Sequence, residues 1–247
     1  MSSCVVIWLT TGWAKAMLLL EVTPMKLMSR ENLETPMYGL AESALYLRVP
    51  IKTLEYWVQG RGKTPGLIEI ASSKPRTLSF TNLLECHMLT AMRGVYGLHL
   101  PKIRTALSHL RDKYGYKHPL IEKTLFTDHV DLLSKEMGGV VNLSRDGQLV
   151  IPEIVELHLE RIEQDPKGLF KFYPFVRQRR AGEPKLILMN PEIGFGKPVL
   201  AGTGVSTAVI ASRFNARESV NDLAEEYGVS KEQIEEAIRW ETRAVAA

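Results

Sequence analysis

Tyr38-Gly-Leu-Ala-Glu-Ser-Ala-Leu-Tyr-Leu-Arg-Val-Pro50 runs directly into Ile51-Lys-Thr-Leu-Glu-Tyr-Trp-Val-Gln-Gly60, and the apolar spacing in this pair decides the fold of the front of the chain. In the first segment, positions 40, 41, 44, 45, 47 and 49 are apolar, which predicts a short amphipathic helix and a turn. Pro50 suits the first position of a second helix, where its missing N–H would have had no partner. Leu54, Trp57 and Val58 then form an i, i+3, i+4 stripe, Lys52, Thr53 and Tyr56 face away, and Gly60 ends the helix. Two short helices around a tight turn predict a helix-turn-helix unit.

Working outward, Leu67-Ile-Glu-Ile70 and Thr77-Leu-Ser-Phe80 flank the basic stretch Ala71-Ser-Ser-Lys-Pro-Arg76. They predict a small β-ribbon with a cationic tip, a wing. Thr81 is placed to cap a helix reaching about Met92, and Pro101 opens another that runs to Lys113, with Ile103, Leu107 and Leu110 at helical spacing. Short strands are expected over Thr127–Glu136 and Val140–Ile151, separated by Gly138-Gly139. Pro152–Gln164 reads as a helix, and the aromatic, basic stretch Gly168–Arg180 as a linker.

From Pro184 the pattern predicts a compact unit. Leu186–Met189 is a buried strand, Gly194–Thr207 a glycine-rich loop, and helices follow over Thr207–Phe214, Ser219–Tyr227 and Ser230–Thr242. Ser219 and Ser230 are natural N-caps, and Gln233 completes a capping box with Ser230. Val209 and Phe214 join Ile187, Leu223, Ile234 and Trp240 in the expected core.

The chain has 247 residues, 31 Lys and Arg against 28 Asp and Glu, and 45% hydrophobic content. That balance excludes a disordered chain, a collagen-like fibre and a highly basic coat protein. Cys4 and Cys86 cannot supply a disulfide framework, so a reducing cytoplasm is the expected compartment. Cys4–Leu20 is interrupted by Lys15 and no basic residue precedes it, which fits neither a membrane span nor a signal peptide. The organisation expected is a loosely attached extension over 1–36, a DNA-binding unit over 37–117, a central strand and helix segment over 118–182, and a rear unit over 183–247. The fold class is mainly α with small β elements: an N-terminal winged helix-turn-helix, a central α/β segment and a C-terminal helix-turn-helix-like three-helix unit.

Charge is divided between the ends. Tyr38–Lys117 holds twelve basic residues against five acids, and Arg217–Arg243 holds four basic residues against eight acids. Two partners of different charge would produce this asymmetry, as would uneven surface decoration. The glycine-rich loop fails as a P-loop, because Lys197 is followed by Pro198, and it fails as G-x-G-x-x-G, because Val199 stands at the third glycine. The histidines lack metal-ligand spacing, so no metal, cofactor or catalytic set is expected. On the front unit, Lys52, Thr53 and Tyr56 occupy the helix face that would meet base edges. Arg61, Lys63, Lys74 and Arg76 are expected on the wing, where cations would reach flanking phosphates.

The Tyr38–Trp57 stretch, with the Leu78-Ser-Phe80 lead into the next helix, resembles a MerR-type winged helix-turn-helix; Glu55 stands where that family often has a basic residue. Asn190-Pro-Glu-Ile-Gly-Phe-Gly-Lys-Pro-Val-Leu-Ala-Gly-Thr-Gly-Val205 followed by Glu218–Val229 resembles a small bacterial and archaeal domain of antitoxins paired with PIN-domain ribonucleases. The combined layout resembles a long VapB-type antitoxin. That resemblance implies an autorepressor that binds operator DNA, as a homodimer, and neutralises a PIN-domain ribonuclease. For the toxin contact, Phe172 and Phe175 are candidate anchors beside Arg177, Arg179 and Arg180, whose planar forks suit an acidic site. A MerR-like regulator sensing a ligand through 119–180, and an enzyme using dispersed carboxylates, are the competing readings.

Overall fold

The computed structural model describes residues 33–94, 99–121, 153–164 and 170–245. The strands expected at 127–136 and 140–151 lie outside the described residues, as do residues 1–32. The fold is mainly α with small antiparallel sheets.

The front begins with strand β1, Tyr38–Gly39, then helices α1, Leu40–Leu47, and α2, Ile51–Gln59. Leu54, Trp57 and Val58 are the buried side chains of α2, the stripe the spacing predicted. Pro50 is the cap rather than the first helical residue. Arg48 takes the left-handed conformation that ends α1, and its N–H bonds back to Leu45 O. The turn between the helices is three residues long. Strands β2, Ser72–Ser73, and β3, Arg76–Leu78, form a hairpin that β1 extends in the order β1-β3-β2.

The hairpin is shorter than the sequence suggests. Leu67 and Ile68 are buried loop residues whose N–H groups both bond to Trp57 O, at 2.6 and 3.1 Å. Arg104 and Arg111, from the helix α4, Leu100–Tyr114, donate to Pro65 O and Leu67 O. Pinned from both sides, 65–68 is held as a loop rather than in a ladder. Gly60 must lack a side chain, since a Cβ would enter the Thr64 carbonyl. Ser79, not Thr81, caps α3, Phe80–Arg93, in a reciprocal box with Asn82.

Residues 33–36 are held rather than loosely attached. Leu33 is buried, its carbonyl accepts from Thr81 Oγ1, and Glu34 bonds to His118 at 2.9 Å. The expected helix over 152–164 is cut short: α5 covers Glu153–Leu159, and Ile162–Gln164 is a strand, β4. It pairs antiparallel with β5, Phe170–Phe172, inside the stretch expected to be a linker. Phe172 continues the pairing onward, exchanging two hydrogen bonds with Met189.

The rear unit pairs β6, Ile187–Leu188, with β7, Val199–Leu200, beneath α6, Thr207–Asn215, α7, Val220–Tyr227, and α8, Lys231–Val245. Ser219 caps α7 and Ser230 with Gln233 caps α8, as the sequence indicates. Its core gathers Val176, Ile187, Leu200, Ile210, Leu223, Ile234 and Trp240. Val209 and Phe214, expected inside, stand 46% and 39% exposed. Front and rear units meet at α1 and β1: Tyr46 of α1 stacks on Trp240 at 5.7 Å and Tyr38 of β1 donates to Gly196 O at 2.9 Å. Among the described residues no helix is long and apolar enough to cross a membrane.

Candidate nucleic-acid and partner surfaces

The apolar stripe of α2 fixes what its opposite face presents. Lys52 is exposed, while Thr53 and Tyr56 are half-buried. Lys52 Nζ bonds to Glu55 at 2.9 Å, an i,i+3 pair too exposed to add much stability. Lys52, Glu55, Tyr56, Gln59, Arg61 and Thr64 line an open groove beside α2. Its second wall is a tight turn in which Arg61 and Thr64 exchange backbone bonds at 2.9 and 3.0 Å, with Lys63 exposed at the bend. Lys74 and Arg76 are exposed on the β2–β3 hairpin, where Ser73 pairs with Arg76. Of the seven predicted residues, Lys52, Tyr56 and Arg61 line the α2 groove, and Lys74 and Arg76 belong to the hairpin. Thr53 lies on α2 outside the groove lining, and Arg61 and Lys63 belong to the turn after α2 rather than to the wing. Glu55, Gln59 and Thr64 were missed, although 52, 55, 56 and 59 share one helical face by spacing.

The candidates at 172–180 have a different surrounding. Phe172 and Phe175 are buried, packed edge-on and stacked against His87. His87 and His158 are held neutral, chiefly by burial: His87 lies well below its ordinary value and His158 falls to about 4. His158 Nδ1 therefore donates to Ile154 O at 2.7 Å, and His87 Nε2 donates to His158 O at 3.0 Å. Arg161, also buried, donates to the carbonyls of Tyr173, Pro174, Glu183 and Pro184 and lies over the Phe175 ring. The Glu183 carboxylate accepts from the N–H groups of Val176, Arg177 and Gln178. This is a clamped strap rather than a linker.

Its arginines also work within the chain. Arg177 bonds to Glu236, which is fully buried, and to Glu232. Arg179 donates to Leu47 O and Arg48 O, and Arg48 donates to Arg177 O. Arg180 is exposed. In this conformation Phe172 and Phe175 offer no surface to a partner, and Arg177 and Arg179 join the two units instead. Several acids of the rear are likewise engaged: Arg213 gathers Glu218 and Glu226. Thr207 donates to Glu241, and Arg239 pairs with Glu236.

The class to which this arrangement is similar emerges from comparison with known proteins. Residues 187–240, the rear unit without its last turn, match the family described as protein of unknown function DUF433. The provisionally named antitoxin VapB45 of Mycobacterium tuberculosis is 29% identical over 229 residues, spanning 83% of this chain and 93% of that protein. The uncharacterized protein Rv2308 of the same organism is 25% identical, spanning 83% of this chain and 90% of its own. The crystal structure of Rv2018 from Mycobacterium tuberculosis superposes with a TM-score of 0.67 at 27% identity, covering 83% of this chain and 98% of that one. The resemblance to a long VapB-type antitoxin is borne out over most of the chain.

Proposed function

We propose that the protein is the antitoxin of a toxin–antitoxin pair, that it binds operator DNA as a homodimer to repress its own operon, and that its toxin is a PIN-domain ribonuclease. The antitoxin role is supported by the similarity to VapB45 along the greater part of both chains. The observation that carries the DNA reading is the α2 face: an exposed Lys52 beside a groove walled by Arg61, with Lys74 and Arg76 on the hairpin that follows. The succession of helix pair and hairpin supports the winged helix-turn-helix reading, in which α2 would enter the major groove and the hairpin would meet phosphates.

Cations on phosphates release counterions, so binding must weaken with salt. About five phosphate or base contacts per protomer, about ten in a dimer, give a log–log slope between about −4, if half fall on phosphates, and about −9, if all do, on the fragment upstream of its own operon. Replacing Lys74 and Arg76 with Ala should weaken binding to specific and random DNA by similar factors. A salt-independent affinity, or an unchanged one in the double variant, would remove the hairpin from the reading. The ribonuclease half is tested by adding the purified chain to the toxin and following RNA cleavage. Full cleavage at excess antitoxin overturns it.

A further inference from the structure

The turn Gly194–Phe195–Gly196 combines strain and exposure in a way the fold does not require. Phe195 has φ 53° and ψ 38°, left-handed backbone that a bulky side chain rarely adopts, and it is 86% exposed. Among the described residues it is the most exposed large hydrophobic. Burial therefore returns nothing for the strained backbone, and glycine would sit there more easily.

The turn is nevertheless held from below. Gly196 O accepts from the buried Tyr38 hydroxyl, and a Cβ at Gly196 would strike Tyr38 and Met37. Lys197 N bonds to Gly194 O at 3.0 Å, Ile193 N to Asn190 O at 2.9 Å, and Lys197 pairs with Glu42 of α1. Every one of these contacts belongs to a neighbour of Phe195. The core fixes the direction of the ring, and the ring does nothing for the core.

We propose that Phe195 is the apolar anchor by which this chain grips its toxin, inserting as a preorganised ring into an apolar pocket of that protein. The proposal rests on the antitoxin reading above. An aromatic whose backbone is already fixed loses little conformational freedom on binding, the property of an interface anchor. Nucleic acid is the wrong occupant, because Glu192 is exposed on the same turn and Lys197 is neutralised by Glu42. Val209 and Phe214 are also exposed, on α6 of the same unit.

The test compares the full chain with Phe195→Gly and Phe195→Leu, using the purified toxin of the same operon. Phe195→Gly should unfold at the same temperature as the parent or higher, and should keep the parent's affinity for the operator fragment. It should bind the toxin about 30- to 100-fold more weakly, with Phe195→Leu between the two. Parental toxin affinity in Phe195→Gly overturns the proposal while leaving the antitoxin reading intact. A lower unfolding temperature refutes the premise that the fold gains nothing from the ring. Loss of self-association with unchanged toxin binding assigns the ring to a second copy instead. A parent chain that does not bind the toxin removes both readings together.

Discussion

Phe172 shows how far a single residue's surroundings decide its role. In sequence it stands in an aromatic, basic run that could line a partner's groove; in the structure it is fully buried and meets His87 and Met189. Truncating it to Ala should destabilise the protein by about 3–5 kcal/mol, the range for buried aromatics. Any loss of inhibition should then track the denaturation midpoint in urea, whereas a normal midpoint with lost inhibition would restore it as a contact residue. Gly196→Ala should be costly for another reason: it combines positive φ with a Cβ driven into Tyr38 and Met37. A loss of about 2–4 kcal/mol is expected from strain and clash together. Gly62 supplies the control, because it also has positive φ but open space at the Cβ, so the same substitution there should cost about 1 kcal/mol.

At the scale of elements, the strap from Tyr173 to Pro184 depends on groups distant along the chain. Arg161 holds its carbonyls and Glu183 its N–H groups. A chain ending at Gly182 loses the Glu183 carboxylate, two of the Arg161 acceptors and the Trp240 ring that covers Tyr46. Such a fragment should lose several kcal/mol and melt without a sharp transition, rather than persist as an independent DNA-binding unit. A cooperative melt near the parental temperature would show that the front unit stands alone. Periodicity made α1, α2 and the rear helices legible, because each buries a stripe at helical spacing and several carry their own caps. It failed at Leu67–Ile70, where a β-branched apolar run serves a loop tied to Trp57 O and to two arginines some forty residues later. The cationic face of α2 was legible for the same local reason. Two of the twelve front-unit cations, Arg104 and Arg111, hold that loop, which a charge count cannot reveal.

For the whole molecule, the buried histidines set opposite limits on stability with pH. Burial opposes the charged form of His118, yet its hydrogen bonds to Glu34 and Glu85 raise it from 6.5 to about 9. Its contribution is therefore complete below about 6.5 and is lost as pH climbs toward 9. Burial also pushes the Glu85 carboxyl up, so its contribution is lost as pH rises above the ordinary 4.5. On the acid side, His158, at about 4, and His87, lower than its ordinary value, stay neutral in the fold while the unfolded chain takes up protons below 6.5. His158 alone should withdraw roughly 3 kcal/mol between pH 6.5 and 4. Glu34 behaves similarly at lower pH: burial alone would raise its carboxyl, but bonds to His118 and Lys117 bring it down to about 2, so its support fades below 4.5. Unfolding free energy from urea titrations should therefore peak near neutrality. Between pH 4 and 6.5 both buried histidines favour higher pH, so stability should rise with pH there, against the opposite pull of Glu85. His118→Gln should flatten the alkaline limb, because Glu34 and Glu85 then have no imidazolium to lose; it should keep the histidine-driven rise between pH 4.5 and 6.5 and weaken only the Glu34 step below 4.5. An alkaline limb that survives this substitution would place the alkaline titration elsewhere in the fold.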